Sequence, residues 1–337
     1  MRNLAKINLI TIKENAEKIR RKLEPNCKFC AVVKADAYGH GAVEVASAIY
    51  GIVDCYAVAL VEEGKRLRLG GIDKDILVLI PPFSGDVEEL VRLSLTATVD
   101  DAKILKRLDD EGERQARKVK VHIKYNTGMN RNGVDGIENL KRLLNFAKSL
   151  KHVEIEGLYS HLGAVENKRI RKIALKEFLL ANDIIKSYNS KAISHISASG
   201  GFLIGGINFD MVRIGILLYG YIPSGIKTDF TVSPALSLEV FVVKNRTVNA
   251  GQRVGYGSKK LKRKKNITLI RLGYADGLER RRIKGQVSSR CMDLTAIEGD
   301  YKTYKIENVK DLAKKYKTIP YEILTKIAVR AEKIYKR

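Results

Sequence analysis

The sequence predicts an α/β protein, a (β/α)8 barrel of TIM type followed by a smaller, mainly-β domain. Eight short apolar, β-branched runs alternate with stretches of helical period through the first two thirds of the chain. Near Ser224-Gly225 the alternation stops, and longer strand-like runs separated by turn residues take over. The 337 residues exceed one ordinary core and suit a large unit beside a small one.

In chain order, a helix of mixed face is expected over 12–23, packed across the barrel. The eight barrel strands are expected at 29–35, 55–60, 75–80, 95–99, 119–125, 153–160, 192–197 and 209–213. Each is a run of five to eight residues, the length of a strand buried on both faces. Helical spacing of apolar residues places helices between them at 41–50, 61–69, 87–93, 101–109, 136–150 and 168–188. A short glycine-rich connection is expected after the seventh strand. Strands at 235–248 and 267–274, with the turn Asn249-Ala250-Gly251 between them, and a helix at 308–316 complete the second domain. The expected division is 1–225 for the barrel and 226–337 for the β domain.

Composition narrows the class. Apolar residues make up 45% and charged residues 30%, as in a folded globular chain. No run reaches the length of a membrane span and the first residues lack the apolar core of a signal peptide, so a cytoplasmic location is expected. Cys27, Cys30, Cys55 and Cys291 are too few for a disulfide scaffold. Cys27 and Cys30 form a C-x-x-C, but no second pair at zinc spacing completes a site, and no metal is expected. The net charge of +24 raises nucleic-acid binding, with Lys259-Lys260-Leu261-Lys262-Arg263-Lys264-Lys265 and Arg280-Arg281-Arg282 as the densest clusters. The chain has no tryptophan and no basic run interleaved with aromatics, and lysine is spread over most predicted helices. A solvated lysine-rich surface accounts for the charge, and no nucleic-acid or membrane partner is expected.

The stretch Ala31-Val32-Val33-Lys34-Ala35-Asp36-Ala37-Tyr38-Gly39-His40-Gly41 carries the most chemistry. A lysine at the end of a buried strand is costly to desolvate, and strand ends are where barrels place catalytic groups. Glycines close the seventh and eighth strands in Ser197-Ala198-Ser199-Gly200-Gly201 and Arg213-Ile214-Gly215-Ile216, and such loops bring backbone N–H groups close to an anion. Taken alone, each of these residues has a structural reading: a snorkelling lysine, a turn glycine, an arginine in an ion pair.

Taken together they resemble the alanine racemase family, which binds pyridoxal phosphate. The resemblance implies that Lys34 carries the cofactor covalently and serves as one base. It implies that Tyr256, in Val254-Gly255-Tyr256-Gly257, is the opposing base and reaches the cofactor of the other subunit, so that catalysis needs a homodimer. Two bases suit the reaction, because inversion takes a proton from one face of the α-carbon and returns it to the other. Tyr38, Ser199, Gly215, Ile216 and Tyr321 would hold the phosphate end, and His161 would stack on the pyridine ring. Arg213 would face the ring nitrogen; a permanently protonated partner leaves that nitrogen unprotonated and weakens the electron sink, favouring proton return over transamination. Arg131 would contact the cofactor's phenolic oxygen and the substrate, positioned by Lys124, a lysine that is often carbamylated in the family. Met292, in Cys291-Met292-Asp293, would receive the substrate carboxylate on its backbone N–H.

The chain departs from the family pattern in places. Asn126 stands where aspartate is common and Asn130 where glycine is common. The β domain is short on both sides of Cys291-Met292-Asp293, and Val329-Arg330-Ala331-Glu332 replaces a proline-bearing ending. The function implied is interconversion of L- and D-alanine, supplying D-alanine for peptidoglycan. The alternatives are racemisation of serine or a basic amino acid, or a non-catalytic pyridoxal-phosphate homeostasis protein; Tyr256 and the β domain that bears it argue against the last.

Overall fold

The chain opens on a strand that the sequence reading misses, β1 (Leu4–Asn8), followed by the helix Leu9–Lys22. The structure is a computed structural model describing residues 2–258 and 260–337; Lys259 of the basic run lies outside the described residues. Asn8 caps the helix by accepting from the Thr11 N–H at 3.2 Å. Asn15, 1% exposed, faces inward from it. Its amide donates to Leu218 O and Ser233 O at 3.0 and 2.9 Å and accepts from the Ser233 N–H at 3.0 Å. A fully satisfied buried amide thus ties the first helix to the segment that leaves the barrel.

The expected barrel strands all form: β2 (Lys28–Val32), β3 (Cys55–Val58), β4 (Ile76–Val78), β5 (Ala97–Val99), β6 (Val119–Asn126), then, past the two-residue β7 (Val134–Asp135), β8 (Val153–Tyr159), β9 (Ile193–His195) and β10 (Met211–Ile214). All pair in parallel, in the orders β10-β2-β3-β4 and β5-β6-β8-β9. Parallel bridges Leu77↔Thr96 and Ala198↔Arg213 join the two runs into a ring. The strands are apolar because both faces are covered; Phe29, Cys30 and Ala31 of β2 and Tyr56, Ala57 and Val58 of β3 are fully buried. Helices Ala42–Ala48, Val61–Leu69, Val87–Arg92, Ala102–Arg114, Ile137–Ala147 and Lys168–Tyr188 lie where the spacing predicts. The connection after β9 differs from expectation: Ser199–Ile204 is a helix despite Gly200 and Gly201.

The second region is mainly antiparallel. The expected single strand over 235–248 is two, β11 (Leu236–Val240) and β12 (Val242–Val248), which enter different sheets. Phe241 between them donates its N–H to Asn3 Oδ1 at 3.0 Å, so the break is pinned by the N-terminus. With β13 (Lys265–Ile270), β14 (Thr295–Glu298), β15 (Tyr304–Ile306) and β16 (Glu332–Lys336), the sheet orders are β15-β11-β1-β16 and β12-β13-β14. Strand β1 therefore sits inside the C-terminal sheet, antiparallel to β11 and parallel to β16. Helices Val309–Tyr316 and Pro320–Ile327 follow β15. Among the described residues no helix is long and apolar enough to cross a membrane, and all four cysteines are free thiols.

Candidate active site

The carboxyl ends of the barrel strands surround a cavity of about 950 Å³, roofed by the helix Pro320–Ile327 through Tyr321, Glu322 and Thr325. Lys34, Lys124, Arg131 and Arg213 line it, and Glu322 is the acidic group on its wall. The two guanidinium groups outnumber the one carboxylate, and a surplus of positive charge in a concavity favours an anionic occupant.

Lys34 does not end a strand as predicted. β2 stops at Val32, and Ala35, Asp36, Ala37 and Tyr38 follow at φ of 51°, 53°, 52° and 54°, one turn of left-handed helix. Each such non-glycine residue costs ~1–2 kcal/mol, so the turn persists only because its surroundings fix it. Glu63 accepts from the Ala35 N–H at 2.6 Å through Oε1 and from the Ala59 and Leu60 N–H groups at 2.7 and 3.1 Å through Oε2. Asp36 accepts from the Ala42 N–H at 2.9 Å and pairs with Lys333 of β16. Gly39, at φ 83°, lets the turn dock on the roof helix, where a Cβ would lie 2.4 Å from Leu324 O. Burial, with Arg131 nearby, pulls the Lys34 ammonium below its ordinary value, against the opposing influence of Glu63. A neutral amine is the form that attacks an aldehyde.

Glu63 was not singled out in the sequence, where it reads as one more acidic residue in a first helical turn. Glu63→Ala leaves three amide N–H groups without their acceptor and is expected to lower stability by about 1–3 kcal/mol. A urea melt checks this; an unchanged midpoint would remove Glu63 as the clamp of the turn.

At one end of the cavity the Tyr38 ring lies 4.8 Å from Tyr219 and 5.9 Å from Tyr321. Burial raises both cavity phenols, Tyr321 to about 12, so they remain hydrogen-bond donors. The Tyr38 hydroxyl rests over Gly215, where a Cβ would come within 2.6 Å of it. Ser199 Oγ accepts from the Gly215 N–H at 3.2 Å, and Ile216 follows on the same wall. Hydroxyls, a bare glycine backbone and no carboxylate make a cradle suited to a phosphate.

At the centre, Arg213 is 4% exposed and donates through Nη2 to Ser160 O at 2.6 Å and through Nη1 to His195 O at 3.1 Å. Burial lowers its pKa to about 10, which leaves it protonated at neutral pH. Its guanidinium lies 4.9 Å from the centre of the Tyr159 ring, and Lys124 Nζ lies 4.3 Å from the same centre. Burial first, then Arg213 and Arg131, bring Lys124 down to about 6, so its amine is neutral at pH 7. Burial first, then Arg213, brings His161 down to about 3, a neutral ring available for stacking.

Arg131 sits on the loop after β6. Asn126 Oδ1 accepts from the Gly128 and Asn130 N–H groups at 3.0 and 3.1 Å, and its amide donates to Asn130 Oδ1 and Asp135 Oδ1 at 2.9 and 2.6 Å. Asn130, at φ 55°, occupies the left-handed region that asparagine tolerates after glycine. The two departures Asn126 and Asn130 thus bond each other and hold the Arg131 loop.

Lys34, Tyr38, Lys124, Arg131, His161, Ser199, Arg213, Gly215, Ile216 and Tyr321 all line the one cavity. Tyr256 and Met292 do not; they are 64% and 54% exposed on the β domain. Their loops touch, the Ser289 N–H donating to Tyr256 O at 3.2 Å, and Arg330 braces the second through Asp293 at 2.8 Å. Tyr159, whose hydroxyl bonds Thr98 Oγ1 at 2.8 Å and Leu79 O at 3.1 Å, lines the cavity although it is not singled out from the sequence.

Residues 7–223 match the alanine racemase N-terminal domain and residues 235–335 the alanine racemase C-terminal domain. Alanine racemase 2 of Caldanaerobacter subterraneus subsp. tengcongensis is 32% identical, over 98% of this chain and 93% of that protein. The solved alanine racemase of Clostridium difficile 630 superposes with a TM-score of 0.93 at 29% identity, over 100% of this chain and 96% of the other. That of Bacillus anthracis with bound L-Ala-P gives 0.92 at 28% identity, over 99% and 95%. The barrel, the trailing antiparallel sheets and matches spanning nearly the whole chain agree: the chain belongs to the alanine racemase family.

Proposed function

We propose that the chain interconverts L- and D-alanine with pyridoxal phosphate, Lys34 and Tyr256 acting on opposite faces of the substrate. The observation that carries this reading is the convergence on one cavity of a lysine amine biased toward neutrality, a hydroxyl-and-glycine cradle and a carboxylate-free arginine. These residues fit the cofactor. Tyr38, Ser199, Gly215, Ile216 and Tyr321 would hold its phosphate end, His161 would cover the ring, Arg213 would face the ring nitrogen and Lys34 would be the amine that carries it. Bound there, pyridoxal phosphate supplies the electron sink that makes the α-proton of an amino acid removable.

Lys34 Nζ, as a neutral amine, would take up or return the α-proton on one face of the substrate. Arg213 keeps its own proton at neutral pH and, facing the ring nitrogen, would leave that nitrogen without one. Arg131 orients the substrate. Lys124, neutral at pH 7, is chemically able to take up carbon dioxide, and as a carbamate it would give Arg131 an anionic partner. The second base comes from another copy: Tyr256 and Met292 stand outside their own chain's cavity, as an active site shared across a homodimer requires. Residues 1–225 would then supply most of the cofactor site, with Tyr321 added from the roof helix, and 226–337 would present the opposing base. A cytoplasmic enzyme supplying D-alanine for peptidoglycan is the role in keeping with the family.

A screen of all L-amino acids in deuterium oxide, with enantiomer analysis, tests activity and substrate together. Alanine is expected to take up deuterium at Cα and to racemise fastest. Faster exchange of serine or a basic amino acid would reassign the substrate, and no exchange at all would leave a carrier of the cofactor.

A further inference from the structure

Behind Arg213 runs a buried line of side chains with no part in holding the cofactor. Arg213 Nη1 donates to His195 Nδ1, His195 Nε2 lies 2.8 Å from His122 Nδ1, and His122 Nε2 lies 3.2 Å from Glu156 Oε2. His195 and His122 are 0% and 3% exposed. Glu156, in the middle of β8, closes the line, and Lys120 Nζ holds its other oxygen at 3.0 Å. Room for the line is built into the backbone: a Cβ on Gly157 would lie 2.7 Å from the His122 ring. The Tyr159 ring stacks on His195, centroids 4.9 Å apart and 1° from parallel.

Donors and acceptors along this line match in a single arrangement. A guanidinium only donates, so His195 Nδ1 must be bare. Burial, with Arg213 beside it, keeps His195 well below the usual histidine value, so the ring is neutral and its proton sits on Nε2. That proton needs an acceptor, which makes His122 Nδ1 bare and puts the His122 proton on Nε2. The remaining acceptor is the Glu156 carboxylate, which only accepts while ionised. Reversing any one link sets two donors face to face.

We propose that Glu156 and His122 are positioning residues for racemisation, fixing the tautomer of His195 and through it the angle at which Arg213 meets the reacting group. The proposal rests on the reading of Arg213 given above. It assigns a catalytic consequence to a carboxylate that does not line the cavity.

Nitrogen-15 NMR of the histidine-labelled holoenzyme reads the tautomers directly. His195 and His122 are each expected with a protonated Nε2 and a bare Nδ1. Glu156→Met removes the terminal acceptor; it is expected to lower kcat about tenfold, with KM changed less than about twofold, and to populate the Nδ1–H form of His122. Glu156→Gln, whose amide oxygen still accepts, is expected to restore both. A wild-type His195 protonated at Nδ1 overturns the proposal, as does a Glu156→Met enzyme with unchanged kcat and tautomers. If Glu156→Met does not fold, the wild-type tautomers alone decide. The reading of Arg213 fails separately, if Arg213→Lys racemises as fast as wild type while the wild-type tautomers are those expected.

Discussion

Lys34→Ala is expected to yield a folded protein that has lost its visible absorption and at least about 10³ of its racemisation rate. The fold should survive because Lys34 is half-buried at the cavity mouth and its removal opens no space in the barrel core. The turn that bears it is held by Glu63, Asp36 and Gly39, none of which needs the amine. On the proposed reading the rate falls because two functions would vanish together: the amine that carries the cofactor and the base on one face. Lys34→Arg is expected to fail almost as badly, since a guanidinium keeps its proton and is a poor nucleophile. Added methylamine should restore part of the rate of Lys34→Ala by supplying a small base where the side chain was. A Lys34→Ala protein that stays yellow and active would show that another amine holds the cofactor.

Elements governed by local spacing were legible in the sequence. All eight barrel strands and the helices between 41 and 188 follow from apolar runs and helical periodicity, because a buried parallel strand and an amphipathic helix each imprint a pattern on their own residues. What was missed is non-local. Strand β1 pairs with β11, more than two hundred residues away, and nothing in Leu4–Asn8 announces that partner. The break at Phe241 depends on Asn3 at the other end of the chain. The helix Ser199–Ile204 overrides two glycines because Gly200 and Gly201 pack against Val165 and Ser197, where a side chain would not fit.

The site shows the same division. Residues that the family resemblance singles out in compact motifs, such as Lys34 with Tyr38 or Arg213 with Gly215, line one cavity. The left-handed turn was missed because Ala35, Asp36 and Ala37 carry no glycine signal; their conformation is imposed by Glu63, on a different element. His195, His122 and Glu156 escaped for a related reason: each lies on a different strand beside other polar residues (Ser194, Lys120 and Lys124, Glu154), and only barrel closure brings the three into line.

Tyr256→Phe is expected to keep the cofactor, since Tyr256 lies outside the cavity that holds it, yet to lose about 10²–10⁴ of the racemisation rate by removing the proton acceptor on one face. The loss should be unequal in the two directions, with exchange of one enantiomer's α-proton slowed more than the other's, because Lys34 still serves the opposite face. Mixing makes the test decisive. In a two-fold dimer of Lys34→Ala with Tyr256→Phe chains, one site collects both defects and the other collects none. Equal amounts of the two inactive proteins, unfolded and refolded together, should therefore regain about a quarter of wild-type activity. Were Tyr256 to act within its own chain, every site in the mixture would carry one defect and no activity would return. A mixture that stays inactive while forming mixed dimers would end the shared-site account, and full activity of Tyr256→Phe alone would remove the phenol from the mechanism.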